Sequence, residues 1–296
     1  MNRPNAACRK VIAAIALLAA GALASSATAE SVRFEMLAAS DESYAEPHDI
    51  VLSPDGKLLY VADNRNNRIA VLDAESLREI GTFANGEVSA PHDVVFDAAG
   101  RLLVADTGNA RIAVYEVDAA KGRLVGSLEG NFRGPEGVGI HPDGRVFVTG
   151  AWSNNMVVFR DGRPVGEMGG LSSPHDVEFS PSGAIWIADA AADRMVRVDD
   201  NLAIVTVLDG KTYGFHGPRY MDFDAEGRMF VADKYSNRIR VINPQGEMIA
   251  VLGTEDAGMG ENVFDRPEGV EIRGDEIWFA DTYNDRIVRY RFRIER

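Results

Sequence analysis

The side chains best suited to chemistry recur at one place in a repeated phrase. The residue after its opening proline is His48, His92, Glu136, His175, Arg219 and Glu268 in turn, and these include three of the five histidines in the chain. If the six positions close into a ring, neighbours stand about 60° apart and alternate members form two sets. His92, His175 and Glu268 then supply two imidazoles and a carboxylate, a donor set that suits zinc or another divalent transition metal with an open position, and His48 is a fourth donor. His48, Glu136 and Arg219 mix both signs of charge, which suits Glu136 and Arg219 to holding a ligand. Asp49, Asp93 and Asp176 follow three of the histidines. These carboxylates, Asp176 above all, could join a metal set, hold calcium nearer the axis, or fix imidazole tautomers. The other reading is structural, with each His capping a turn and each Asp accepting backbone N–H groups. Both readings stay open at this point.

Positioning such a ring requires a repeat, and the proline phrases at residues 47, 91, 135, 174, 218 and 267 supply one. After each phrase come an apolar segment, a Gly-containing turn, a second segment that usually ends in Ala-Asp, a polar turn, and a third that usually opens Arg-Ile or Arg-Met. In the first repeat the predicted strands are Asp49 to Leu52, Leu58 to Asp63, Arg68 to Leu72 and Glu79 to Phe83. Four strands in each of six repeats predict an all-β, six-bladed β-propeller over residues 30–296. The sixth repeat lacks a fourth strand. Val32 to Leu37 has the alternation to supply it, so the N-terminal strand is expected to close the last blade.

In such a blade the start of the first strand, the second-to-third turn and the link to the next blade share one face. That face carries Trp152, Tyr235, Tyr283 and Arg65 in equivalent turns. Trp152 is expected as a ligand platform, and Tyr235, Tyr283 and Arg65 as the catalytic candidates. The long links Asp209 to Gly217 and Gly253 to Arg266 are expected there too, where loops on a rigid scaffold carry function. His141 and His216 stand outside the ring and read as ordinary turn or loop residues. The Asp that ends the second strand (63, 106, 189, 233, 281) and the Arg that opens the third (68, 111, 194, 238, 286) are both lost in repeat three, as Gly150 and Met156. Joint loss implies that the two pair with each other or serve the turn between them.

Val61-Ala62-Asp63-Asn64-Arg65-Asn66-Asn67-Arg68-Ile69 and Val231-Ala232-Asp233-Lys234-Tyr235-Ser236-Asn237-Arg238-Ile239 resemble NHL repeats. NHL propellers include enzymes, protein-binding modules and RNA-binding modules, so the resemblance implies fold more than function. The Pro-His-Asp phrases resemble more narrowly those of the peptidyl-α-hydroxyglycine amidating lyases. That resemblance implies axial histidines on zinc at His48, His92 and His175, an acidic neighbour at Asp176, a structural calcium, and a family tyrosine at Tyr235 or Tyr283. The chain departs from that family in carrying its histidines on repeats one, two and four, and in lacking arginine directly after the strand-ending Asp. A metal-dependent hydrolase or lactonase on a propeller would share these features.

Arg3, Arg9 and Lys10, the apolar run Val11 to Leu23 and Ala27-Thr28-Ala29 read as a secretory signal over residues 1–29. Export to a periplasm or the cell exterior follows, with no membrane insertion after cleavage. Cys8 would leave with the signal. Removing three positive charges moves the formal net charge from -14 to -17. An acidic field argues against nucleic acid and favours a cation, a cationic ligand or a basic partner. The expectation is a monomer that binds a small molecule, peptide or protein at the channel mouth, with an axial metal ion and lyase or hydrolase activity as the enzymatic alternative.

Overall fold

Six four-stranded antiparallel sheets stand around one axis. The structure is a computed structural model that describes residues 30–41 and 43–295. The expected signal therefore lies outside the described residues, among which no helix is long and apolar enough to cross a membrane. Strand β1 (Ser31–Ala39) precedes the first blade, formed by β2 (Pro47–Leu52), β3 (Leu58–Asp63), β4 (Arg68–Asp73) and β5 (Glu79–Phe83). Blade two is β6 (Pro91–Phe96), β7 (Arg101–Asp106), β8 (Arg111–Asp118) and β9 (Lys121–Leu128). Blade three is β10 (Pro135–Ile140), β11 (Val146–Gly150), β12 (Asn155–Arg160) and β13 (Arg163–Met168). Blade four is β14 (Pro174–Phe179), β15 (Ile185–Asp189), β16 (Arg194–Val198) and β17 (Ile204–Asp209), followed by the one-turn helix α1 (Gly210–Tyr213). Blade five is β18 (Pro218–Phe223), β19 (Met229–Asp233), β20 (Arg238–Ile242) and β21 (Met248–Gly253). Blade six is β22 (Val270–Arg273), β23 (Glu276–Asp281) and β24 (Arg286–Glu295), and β1 pairs antiparallel with β24 as its outer strand.

The blades hold together through their faces. In β3, Leu59 and Val61 pack toward blade six while Tyr60 and Ala62 pack toward blade two, so one strand feeds two seams through its two-residue period. This is why the middle strands read as unbroken apolar runs. Burying each such Leu, Val or Tyr contributes about 1.5–3 kcal/mol.

Two polar latches recur at the seams on the mouth face. The strand-ending Asp accepts the backbone N–H of the preceding link: Ala45 on Asp63, Ser89 on Asp106, Ser172 on Asp189, His216 on Asp233 and Asp265 on Asp281. Its other oxygen takes an arginine, at 2.6 Å for Asp63–Arg68, 2.7 Å for Asp106–Arg111, 2.6 Å for Asp189–Arg194 and 2.8 Å for Asp281–Arg286. Blade five departs from the expected pairing. Asp233 binds Arg240 at 2.6 Å, and Arg238 turns to Glu255. Arg240 also donates to Gly214 O at 2.6 Å, which holds the link after α1. In blade three the residue in register with Arg68 is Asn155, not Met156, because Gly150 pairs with Asn155. There Ser153 Oγ accepts the Arg133 N–H in place of the missing carboxylate.

The second latch runs from the residue just before the third strand, which sits at positive φ in every blade: Asn67, Ala110, Asn154, Asp193, Asn237 and Asp285. The side chains of Asn67, Asn154, Asp193, Asn237 and Asp285 accept the N–H of the residue preceding the next proline phrase, namely Ala90, Ser173, Gly217, Arg266 and Glu46. Ala110 has no side chain to do so.

Candidate functional site

Each second-to-third turn bonds to the link that precedes its blade, as in Arg65 N–H to Ala45 O, Trp152 N–H to Arg133 O and Tyr235 N–H to His216 O. These bonds bring turns, links and proline phrases to one face, the channel mouth. The ring residues lie at its floor, with His48, Glu136, His175 and Glu268 buried.

The floor is knit into polar pairs. His175 Nε2 lies 2.5 Å from Glu136 Oε2, and Arg219 Nη1 reaches the same imidazole, 2.9 Å from its Nδ1. Arg219 Nη2 donates to Tyr235 Oη at 3.2 Å. On the other side, Glu268 receives Lys234 Nζ at 2.5 Å and faces His48 Nδ1 at 3.1 Å. Burial opposes ionisation of both glutamates, but His175 pulls Glu136 down to about 2, and His48 and Lys234 hold Glu268 well below the usual carboxylate range. His92 is the opposite case. Burial and the neighbouring His48 push its imidazole down to about 3, so it is neutral at physiological pH. Its Nδ1 lies 2.9 Å from Ala90 O and 3.2 Å from Asn64 Nδ2; with the proton on Nδ1 to meet the nearer carbonyl, Nε2 is the acceptor.

The three candidates for one metal set are thus divided. His175 is engaged by Glu136 and Arg219, whose guanidinium opposes a second cation. His92 stands edge-on to His48 with ring centroids 4.3 Å apart, and Glu268 is bound to Lys234. Among the described residues no three His, Cys, Asp or Glu side chains are placed to hold a metal ion. The aspartates after the histidines do not orient the imidazoles. The Nδ1 atoms of His92 and His175 face the Ala90 and Ser173 carbonyls instead.

Those aspartates reach the next blade. Asp93 accepts the Val138 N–H at 2.6 Å and Asp176 the Met221 N–H at 2.8 Å, and deeper in the channel Asp222 accepts from Ile272 at 2.6 Å and Glu271 from Leu52 at 3.2 Å. An innermost strand has no partner on its axial side, and these carboxylates satisfy its free donors. They line a cavity of about 140 Å³ with Asp49 and Glu178. Burial raises all six, Asp93 to about 6, Asp222 to about 7 and Glu178 to about 8. Tyr220 separates this cavity from the mouth. Its hydroxyl, at the position where other blades carry Asp or Gly, crosses the axis to Glu136 O at 2.8 Å and His92 O at 3.3 Å. The mouth is therefore a blind cup.

The rim follows a pairwise rule that the separate residues do not reveal. The residue before each proline meets the second-to-third turn of its own blade. Glu46 pairs with Arg65 at 2.7 Å, and the Arg266 guanidinium lies 4.5 Å from the centre of the Tyr283 ring. Gly134 and Gly217 lie directly under Trp152 and Tyr235, where an added Cβ would come within 2.4 and 2.5 Å of the rings. Blades two and four carry only Ala90 with Gly108 and Ser173 with Ala191, which lowers the rim beside His92 and His175. Trp152, Tyr235 and Tyr283 are 60%, 46% and 37% exposed, so the wall offers three accessible rings. His216 belongs to this wall, 5.2 Å from Tyr235, whereas His141 sits in a turn beside Asp143.

Lys234 and Tyr220 are the floor residues that sequence reasoning missed. Lys234 was visible as the one charged residue directly after a strand-ending Asp, where other blades have Asn64, Thr107, Ala151, Ala190 or Thr282. The long links also behave differently from expectation. Helix α1 carries Tyr213 away from the mouth, to donate to Gly246 O at 2.6 Å on the turn between β20 and β21.

Fold and mouth together define a six-bladed β-propeller of NHL-type repeats with a polar, aromatic-walled cup. A family described as "Lactonase, 7-bladed beta-propeller" matches residues 14–142, although this ring has six blades. Human NHL repeat-containing protein 3 is 28% identical over 176 residues, covering 56% of this chain and 47% of its own length. The mouse protein of that name is 26% identical over 176 residues, so the chain spans about half the length of the curated relatives it matches. Among solved structures, virginiamycin B lyase from Staphylococcus aureus superposes with a TM-score of 0.62 at 15% identity, over 88% of this chain and 99% of that one. An auxiliary nutrient binding protein from Bacteroides ovatus gives 0.69 at 15% identity, over 90% and 77% of the two chains. Likeness at that identity is likeness of fold.

Proposed function

We propose that this chain is an exported binding propeller that holds a small polar ligand bearing a carboxylate or carbonyl in the mouth cup. The observation that carries the reading is the blind floor. Arg219, whose Nε is buried without a partner, and Lys234 offer donors there, while Glu136, Glu268 and His92 Nε2 offer acceptors beneath exposed aromatic rings. A few convergent polar groups under apolar walls are what a small-molecule site requires. The ring supports binding without a metal.

A second reading, catalysis, is favoured by one feature. His92 is a neutral imidazole with a free Nε2 across the floor from Arg219 and Lys234. A base facing two cations suits proton abstraction with stabilisation of a developing oxyanion, as in a lyase or a lactone hydrolase. The lyase and the lactonase family among the similar proteins support that class and not a substrate. Thermal-shift screening of carboxylates, lactones and virginiamycin B should find ligands that stabilise the wild type and not Arg219→Gln or Trp152→Ala. Stabilisation undiminished in both variants would exclude the mouth. Turnover of a stabilising ligand, lost in His92→Ala, would select the catalytic reading. Elemental mass spectrometry beside these assays checks the metal: about one zinc per chain, lost in His92→Ala and Glu268→Gln, would place an ion in the ring.

A further inference from the structure

A second cavity lies outside the mouth, in the seam between blades four and five. It measures about 730 Å³ and opens beside the first-to-second-strand turns of both blades and the β20–β21 turn, with Trp186, Tyr213, Phe223 and Met229 in its walls and Arg197 and Thr206 on one side. The volume suits a small organic molecule.

Comparison among the blades shows what is unusual here. The third-strand residue at the register position of Arg197 is Val71, Val114, Val158 and Val241 in blades one, two, three and five, each packed in a seam. Only blades four and six carry arginine, and both set it opposite a tryptophan, Trp186↔Arg197 and Trp278↔Arg289. In blade six the protein completes the pair. Arg289 donates to the Glu276 carboxylate at 2.7 and 2.9 Å and to Glu75 O at 2.8 Å, Trp278 Nε1 donates to Ala74 O at 2.8 Å, and Leu77 packs in the same cluster. Among the described residues of blade four none of these contacts forms. Ala184 stands where β23 has Glu276, and the overlying turn carries Gly246 at its left-handed position (φ 83°) where the blade-one turn carries Leu77 (φ 58°). Arg197 donates Nε and Nη2 to the neutral Thr206 hydroxyl, at 3.2 and 3.1 Å. Among the described residues no carboxylate pairs with it, and the one acid in the walls, Glu226, pairs with Arg228.

We propose that this cleft binds an organic acid whose apolar ring lies against Trp186 and Phe223 and whose carboxylate meets Arg197, as Glu276 meets Arg289 in blade six. An arginine without a paired carboxylate favours an anion over a neutral ligand, and the apolar walls exclude a bare inorganic one. The site is independent of the mouth.

The test uses 8-anilinonaphthalene-1-sulfonate as a fluorescent probe and 2-naphthoate against 2-naphthamide as competitors. Wild type should bind about one probe per chain, displaced by the naphthoate and at least about tenfold less well by the neutral amide, since a charge-assisted bond to arginine is the difference. Arg197→Val, which restores the residue of four other blades, and Ala184→Glu, which supplies the internal acid of blade six, should each weaken naphthoate binding by about tenfold or more. Arg219→Gln at the mouth should leave it unchanged, which separates this site from the proposed function. No saturable binding in wild type, or equal affinity in Arg197→Val and Ala184→Glu variants that melt as wild type does, would overturn the proposal.

Discussion

Ala110→Asn should stabilise the propeller, and the reason is a latch that one blade lacks. Ala110 holds φ 53°, a conformation that costs an L-residue with a Cβ roughly 1 kcal/mol and that Asn tolerates better. Its counterparts Asn67, Asn154, Asp193, Asn237 and Asp285 each accept the N–H of the following link at 2.7–2.9 Å. The corresponding donor after blade two is Gly134, and Ala110 offers it no acceptor. Relief of part of the backbone cost and one added hydrogen bond of about 1 kcal/mol together give about 1–2 kcal/mol. At about 2–4 °C per kcal/mol for a domain of this size, Tm should rise by roughly 2–8 °C. Scanning calorimetry of the wild type, Ala110→Asn and Ala110→Gly separates the two contributions, because glycine relieves the backbone and cannot accept the bond. A Tm for Ala110→Asn no higher than that of Ala110→Gly would refute the latch.

The buried carboxylates make stability depend on pH. Their folded values lie above the unfolded ones, so the folded chain holds more protons between about pH 4 and pH 8 and stability falls as pH rises through that window. Glu178→Gln removes the group held at about 8 and should raise Tm above the wild type's at pH 8 while leaving it nearly unchanged at pH 5; parallel melting profiles would contradict this. Gly134→Ala adds a methyl where the Trp152 ring lies, at φ 56°, and should cost roughly 1–2 kcal/mol in urea unfolding with a red shift in tryptophan emission as Trp152 is displaced. Tyr220→Phe removes the bond across the axis and should open the cup to the acidic cavity, weakening any mouth ligand and lowering Tm by a few degrees, read in the same thermal-shift assay.

Blade count, the closing strand and the ring at the mouth were legible because each is set by residues a few positions apart in a repeat. Proline phrase, turn and strand-ending Asp recur in fixed order, and the short last repeat calls for β1. The Asp–Arg pair was legible for the same reason, five residues apart across one turn. Its exception was not, since Asp233 chooses Arg240 only because α1 brings Gly214 within reach of that guanidinium. Likewise the ring positions could be named from sequence, but their pairing could not. Glu136 and Arg219 engage His175, and Lys234 takes Glu268, contacts that divide the expected metal set.

By itself, then, the sequence determined the number of sheets, their strand order and which residues face the axis, because period-two alternation and turn chemistry act locally. Tertiary structure alone decided what those residues do. Tyr220 seals the cup through carbonyls two and three blades away, axial carboxylates tie the inner strands of blades two, four, five and six to the next blade, and the cleft beside Arg197 exists because the seam lacks the acid and the leucine that close its twin in blade six. Contacts between side chains forty or more residues apart depend on how the sheets stack, and stacking is a property of the whole ring rather than of any one repeat.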